Sequence, residues 1–137
     1  MSANEPLREI VRKLAKTFND PQTREMSYFE FYDDSLIIHG FPTNLPRNKE
    51  GFKQFIYLLW NAFPDIRIIF DDIIIEENKV VCRYTLLGTH KGEFLGMPPT
   101  NKTFRVNGMT IFYFQDKKCV QRWNLVNMTS LIEQLKP

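Results

Sequence analysis

Proton transfer near neutral pH needs a histidine or a carboxylate held where a substrate can reach it, and this chain offers few. His39 and His90 are its two histidines. His39 ends a short apolar run, where it would act as a pocket base or hydrogen-bond donor, or else sit at an edge near solvent. His90 opens a glycine-rich stretch. There it would meet a polar substrate group at a pocket mouth, or fix the loop by bonding a backbone carbonyl. Two acidic pairs, Asp33-Asp34 and Asp71-Asp72, flank predicted turns or charged strand positions. They read as solvated faces, with a relocated general base at Asp71 or Asp72 as the other option. Arg83 stands in an otherwise apolar strand. Facing inward it would anchor an anionic or carbonyl oxygen; facing outward it would be a surface or dimer-interface charge. Tyr84 and Tyr113 have hydroxyls that either reach a ligand carbonyl or cap the core, and Trp123 either walls a pocket for a flat ligand or fills core. Cys82 and Cys119 form no CxxC and read as buried fillers. No cluster of Cys, His and acidic residues has metal-ligand spacing, so no metal site is expected.

The elements that must position these groups follow from periodicity. Asn4 is a cap for a first helix carrying Leu7, Ile10, Val11, Leu14 and Phe18 at helical spacing, stopped by Asn19-Asp20-Pro21. Met26 to Tyr32 reads as a short aromatic helix, Asp33-Asp34 as a turn, and Ser35 to His39 as a strand. A loop with two prolines follows over Gly40 to Pro46. Asn48 caps the next helix, which carries Phe52, Phe55, Ile56, Leu59 and Phe63 and ends at Pro64. The period then changes. Arg67 to Glu76 and Val80 to Thr89 form a hairpin around Glu77-Asn78-Lys79. Gly88 to Lys102 is a loop with strand fragments. Phe104 to Phe114 is a long strand with a bulge expected at Gly108, and Cys119 to Val126 is the next. Met128 to Leu135 closes the chain as a helix. Helices first and a curled antiparallel meander second make an α+β domain. With helices across the concave side, the sheet becomes a cone whose interior is the natural pocket.

Composition sets the class. The chain has 137 residues, 43% hydrophobic and 14% aromatic, with 18 basic against 16 acidic side chains. That length fits one domain, residues 1–137, able to build a core without disulfides or a structural metal. A net charge of +2 with mixed signs leaves no basic footprint for nucleic acid. The longest apolar runs, such as Ile73 to Ile75, are too short to span a bilayer. The N-terminus has no basic region followed by an apolar stretch, so a reducing cytoplasm is the expected compartment. Twelve Phe, five Tyr and two Trp indicate a large aromatic core or a ligand cavity.

An ordered set of motifs narrows this further. Gly51-Phe52 opens the helix that ends in Phe63-Pro64-Asp65. Gly88-Thr89-His90-x-Gly92-x-Phe94-x-Gly96-x-Pro98-Pro99-Thr100 follows the hairpin, then Trp123-x-x-x-Asn127, Leu131 and Gln134-Leu135. The series closely resembles the SnoaL-like polyketide cyclase family of the nuclear-transport-factor-2-like superfamily, over roughly the last two-thirds of the chain. The resemblance implies a cone-shaped α+β barrel: a curved, mainly antiparallel sheet with helices packed on its concave side. It implies intramolecular aldol closure of an aromatic polyketide ring without metal or cofactor, a pocket carboxylate serving as general acid/base. The family usually carries Asp four residues after the Trp, where this chain has Asn127. A carboxamide can hydrogen-bond a carbonyl or enolate oxygen but cannot be the base. It can also cap the closing helix as well as Asp does. Asn101 stands where glycine often follows Pro-Pro-Thr, and Asn tolerates the left-handed backbone that such a loop requires.

Two readings of different class remain open. One is a cyclase, isomerase or lyase acting on a small carbonyl-bearing substrate, with Asn127 and His90 as the residues closest to the chemistry and Trp123, His39, Arg83, Tyr84, Tyr113 and Phe63 as the pocket. The other is a binding or dimerisation module in which no proton moves. A homodimer is expected in either case. The deciding feature is whether an Asp or Glu faces the cavity.

Overall fold

The computed structural model describes residues 5–41 and 44–137. The expected cap Asn4 lies outside the described residues, as do Pro42 and Thr43 of the first loop. Helix α1 (Glu5–Phe18) buries Val11, Leu14 and Phe18 on the stripe that their spacing defines. The aromatic segment after it splits into a single turn, α2 (Arg24–Ser27), and a 3-10 turn (Tyr28–Phe31). Helix α3 (Lys49–Ala62) starts at Asn48, whose side chain accepts from the Gly51 amide at 2.9 Å. Gly51 must be glycine, because a Cβ there would lie 1.8 Å from the Pro46 carbonyl oxygen. Helix α4 (Met128–Leu135) closes the chain and buries Leu131 and Leu135.

The strands are β1 (Tyr32–His39), β2 (Arg67–Glu76), β3 (Lys79–Thr89), β4 (Thr103–Gln115) and β5 (Lys118–Val126). They form one sheet in the order β1-β5-β4-β3-β2, with β1 parallel to β5 and the other three pairs antiparallel. The sheet does not close: β1 and β2 are edges, and the helices complete the cone where strand pairing stops. Asn19 covers part of the β2 edge, donating to the Ile68 carbonyl at 2.9 Å and accepting from the Ile68 amide at 2.7 Å. The β4–β5 turn is two residues, Asp116 and Lys117, both with positive φ (51° and 68°), the backbone that matches strand twist in a tight hairpin.

Two local expectations are corrected. Gly108 is not a bulge. It sits in unbroken register between Tyr84 and Val126. It is small because the Tyr84 ring crosses it: a Cβ would lie 2.4 Å from Tyr84 Cζ. The irregularities fall instead at Asp71 in β2, between Tyr113 and Phe114 on the β4–β5 ladder, and between Tyr32 and Ile37 in β1. Asp33-Asp34 do not precede the first strand but lie within it. Asp33 still turns the chain locally, accepting from the Ser35 amide at 2.9 Å and hydroxyl at 2.6 Å.

Strand alternation separates the two faces. The inner face carries Val80, Cys82, Tyr84, Leu86, Phe104, Val106, Thr110, Phe112, Arg122 and Asn124, all buried. Helices α1 and α3 cover it with Leu14, Phe18, Phe52, Phe55 and Leu59. No described helix is long and apolar enough to cross a membrane.

Candidate functional site

The cavity lies between this inner face and the helices. Leu14, Phe18, Phe55, Ile56, Leu59, Ile68, Leu86 and Leu131 supply apolar walls. Phe41, Val126 and Met128 are its half-buried lining residues, which puts the mouth between the loop after β1 and the start of α4. The polar lining is Tyr28, Tyr84, Arg122 and Asn124. No Asp or Glu lines the cavity among the described residues. Its volume is about 40 Å³. That is room for about one or two waters, so an organic ligand would fit only by displacing wall side chains.

Arg122 dominates the chemistry. It is 5% exposed, in register with Phe112 on β4 and Ile38 on β1. Its guanidinium stacks over the Phe112 ring at 4.5 Å. Nε donates to Thr110 Oγ1 at 3.0 Å, and the Thr110 hydroxyl in turn donates to the Trp123 carbonyl at 2.6 Å. Nη1 donates to Tyr28 Oη at 3.1 Å and Tyr32 Oη at 2.8 Å, and those two hydroxyls are 2.7 Å apart. Nη2 has no acceptor among the described residues. Burial alone would pull the guanidinium's pKa down. Tyr32, Tyr28, Tyr84 and Cys119 outweigh it, and the net direction is upward. Burial raises Tyr32 well above the ordinary phenol value and raises Tyr84 too, against the opposing pull of Arg122. These two phenols are therefore neutral near pH 7, and Arg122 keeps its charge. Tyr84 donates to Asn124 Oδ1 at 2.7 Å. Asn124 thus spends its carbonyl on the protein and offers its amide N–H to a ligand. This end of the cavity is a set of donors with a positive charge, fit to hold an oxygen that carries or develops negative charge. It holds no group poised to take a proton.

Of the residues that the sequence put forward, Tyr84 lines this cavity. Asn127 is exposed and caps α4, accepting from the Ser130 amide at 3.0 Å. His90 is fully buried in the glycine-rich loop. Its Nδ1 accepts from the Thr100 amide at 3.3 Å and lies 3.1 Å from the Thr100 hydroxyl, which leaves the proton on Nε2, without a partner. Phe63 packs beside it against Phe94 and Phe104, with ring centroids 5.1 and 4.8 Å away. The loop is anchored by the Lys91 and Gly92 amides, which donate to the Ala62 carbonyl at the end of α3. Asn101 takes φ of +61° there, the left-handed backbone expected of it.

The other candidates stand on the outer face. Trp123 stacks on His39 at 4.5 Å and meets Tyr113 at 4.7 Å, and His39 Nε2 is 3.0 Å from Gln121 Oε1. Arg83 pairs with Asp72 at 2.7 Å and lies 3.8 Å from Asp71, whose carboxylate also accepts from Thr85. Neither Asp71 nor Asp72 reaches the cavity, so neither is a relocated base. Asp34 is exposed beside Lys49. Cys82 and Cys119 are buried free thiols, each pushed up to about 12 by burial, and so are poor nucleophiles. Among the described residues no group of three or more His, Cys, Asp or Glu could hold a metal.

The sequence reading missed Arg122, Asn124 and Tyr28. The signal was present as parity: Arg122 and Asn124 share one face of β5, Trp123 and Leu125 the other. The usual rule buries the apolar pair. Here the polar pair is inside, because Thr110, the tyrosines and Phe112 provide it with partners that no stretch of β5 reveals.

The profile of the SnoaL-like polyketide cyclase family matches residues 8–135 of the 137. No curated protein matches the sequence. Among solved structures, AclR of Streptomyces galilaeus, described as a candidate hydroxylase, aligns at 22% identity and TM-score 0.85, over 98% of this chain and 97% of its own. A protein of Jannaschia sp. CCS1, described as a candidate SnoaL-like polyketide cyclase, aligns at 19% identity and TM-score 0.82, over 100% and 98%. IdmH of Streptomyces antibioticus, described as a candidate polyketide cyclase, aligns at 24% identity and TM-score 0.77, over 93% and 96%. At such identities these structures share the fold. The family profile covers nearly the whole chain, and on that ground the protein belongs to the SnoaL-like polyketide cyclases.

Proposed function

We propose that this chain binds a small, flat, carbonyl-bearing ligand inside the cone and does not run carboxylate-driven aldol cyclisation. The observation that carries the reading is the cavity lining: apolar walls, N–H donors at Arg122 and Asn124, and no carboxylate among the described residues. Aldol closure needs a base to take a proton from carbon. Asn127 cannot be one, and its side chain is committed to capping α4. Mass spectrometry of the purified protein, native and denatured, tests this, together with incubation with linear poly-β-ketone esters. A copurified flat ketone or enol and no turnover fit the reading. Cyclised product above the buffer rate overturns it.

The runner-up is a cyclase-type enzyme, favoured by the donor cluster around Arg122, which suits an enolate oxygen. In that reading the base comes from the substrate or from water, and the rate rises with buffer base concentration. Buried free thiols at Cys82 and Cys119 support a reducing, cytoplasmic setting for either reading.

We further propose that the chain pairs with a second copy through its outer sheet face. Ile74, Val81, Ile111 and Trp123 stand in register in one row across β2 to β5. Ile74, Met109 and Leu125 are 64%, 57% and 74% exposed. Light scattering should give twice the chain mass, and Leu125→Lys with Met109→Lys should halve it; a monomeric parent overturns the proposal.

A further inference from the structure

Arg122 is a buried cation without a counter-ion among the described residues. Removing a charge from water is costly unless an opposite charge or full hydrogen bonding compensates, and buried charges are for that reason normally paired. Every acceptor that Arg122 touches among the described residues is a hydroxyl: Thr110, Tyr28 and Tyr32. None of its contacts is a carboxylate; the ion pairs of the described residues lie elsewhere, at Asp34, Asp71, Asp72 and Glu133. Burial holds Tyr32 and Tyr84 in the neutral form, so they do not supply the missing charge. Nη2 keeps its N–H groups. Arg122 lines the cavity, and Nη2 is its one guanidinium nitrogen with no acceptor among the described residues.

We propose that the ligand itself brings the counter-ion: the cavity takes a planar aromatic acid, its carboxylate against Arg122 Nη2 and its ring among Leu14, Phe18, Phe55 and Leu59. This rests on the reading of the cavity as a ligand pocket and gives that ligand a charge and a functional group. Asn124 lines the same cavity, and its amide N–H, which has no acceptor among the described residues, would hold the second carboxylate oxygen. The low dielectric of the site makes such a charge-assisted hydrogen bond stronger than one to a neutral carbonyl. A neutral ligand of the same shape leaves the cation uncompensated.

The test uses matched pairs of increasing size: benzoate against benzamide, and 2-naphthoate against 2-naphthamide, titrated calorimetrically into the intact protein at pH 7. Each acid should bind at least about tenfold more tightly than its amide, as expected when a hydrogen bond to a charged group replaces a neutral one. The Arg122→Met variant should lose that preference. Should the variant not fold, the 15N shift of the Arg122 Nε–H in wild-type protein gives the same answer, moving with the acid and not with the amide. Equal binding of acid and amide overturns the inference and leaves the pocket reading intact. Binding of neither overturns both. A preference that survives Arg122→Met, or an acid that leaves the Arg122 signal in place, places the anion elsewhere and overturns the inference.

Discussion

Two arginines of the sheet point to opposite faces, and they could hardly differ more. Arg83 on β3 points outward, half exposed, with Asp72 and Asp71 as partners. Arg122 on β5 points inward, buried, with a phenylalanine ring beneath it and hydroxyls around it. The outer pair is screened by water, so its geometry carries little energy. The inner cation has no such screening and must be held by everything around it. A well-formed ion pair is thus the less informative of the two. The unpaired arginine marks the place where something from outside the protein is expected.

Breaking the support of the inner arginine should have the largest effect. Phe112 is fully buried and lies under the guanidinium. Phe112→Ala should cost about 3–5 kcal/mol in urea denaturation, from lost transfer energy and the remaining cavity. Alkaline pH probes the same face. Cys82 and Cys119 have folded values near 12 against an ordinary 9.0. Both are raised, so their contribution is fully present below pH 9 and is lost as pH climbs from 9 toward 12. In that window the unfolded chain holds fewer protons than the folded one. Stability should fall by on the order of 1.4 kcal/mol per pH unit for each thiol, and Cys82→Ala with Cys119→Ala should flatten the profile.

The next effects are smaller and sharpen the contrast. Arg122→Met swaps the buried cation for an apolar side chain of similar length. Its unfolding free energy should stay within about 1.5 kcal/mol of wild type, in either direction. A loss above about 3 kcal/mol would make Arg122 part of the scaffold rather than a receptor. Asn127→Ala should cost about 1 kcal/mol through the lost cap of α4, while Asn127→Asp should be near neutral and create no cyclase activity. On the outer face, Arg83→Ala should leave the thermal midpoint unchanged; a clear drop would show that the outer ion pair matters more than its exposure implies.

The elements were legible in the chain because their signals are local. Asn48 before an apolar helical stripe, Pro64 after it, and β-branched runs on either side of Glu77-Asn78 each fix a boundary through the backbone of neighbouring residues. The glycine-rich loop was legible as a loop, and Asn101 as its left-handed residue. Gly108 was misread, since a strand glycine that makes room for a ring on the next strand looks the same in sequence as one that permits a bulge. Asp33-Asp34 were misread as preceding the strand, since an Asx turn inside an irregular strand has the same local chemistry as one before it.

The site was far less legible. Trp123, His39 and Tyr113 have the residue types of a pocket, yet they stack together outside it. By itself the sequence determined the α+β class, the order of helices and strands, the family, and the absence of a carboxylate at position 127. These are properties of periodicity, turn chemistry and residue identity. Tertiary structure decided which face of β5 turns inward, and hence that Arg122 and Asn124, not Trp123, meet the cavity. Alternation divides a strand into two sets of side chains, but only the partners on neighbouring elements, Thr110 and Phe112 on β4, Tyr32 on β1 and Tyr28 in the turn before it, make it possible to bury the charged set.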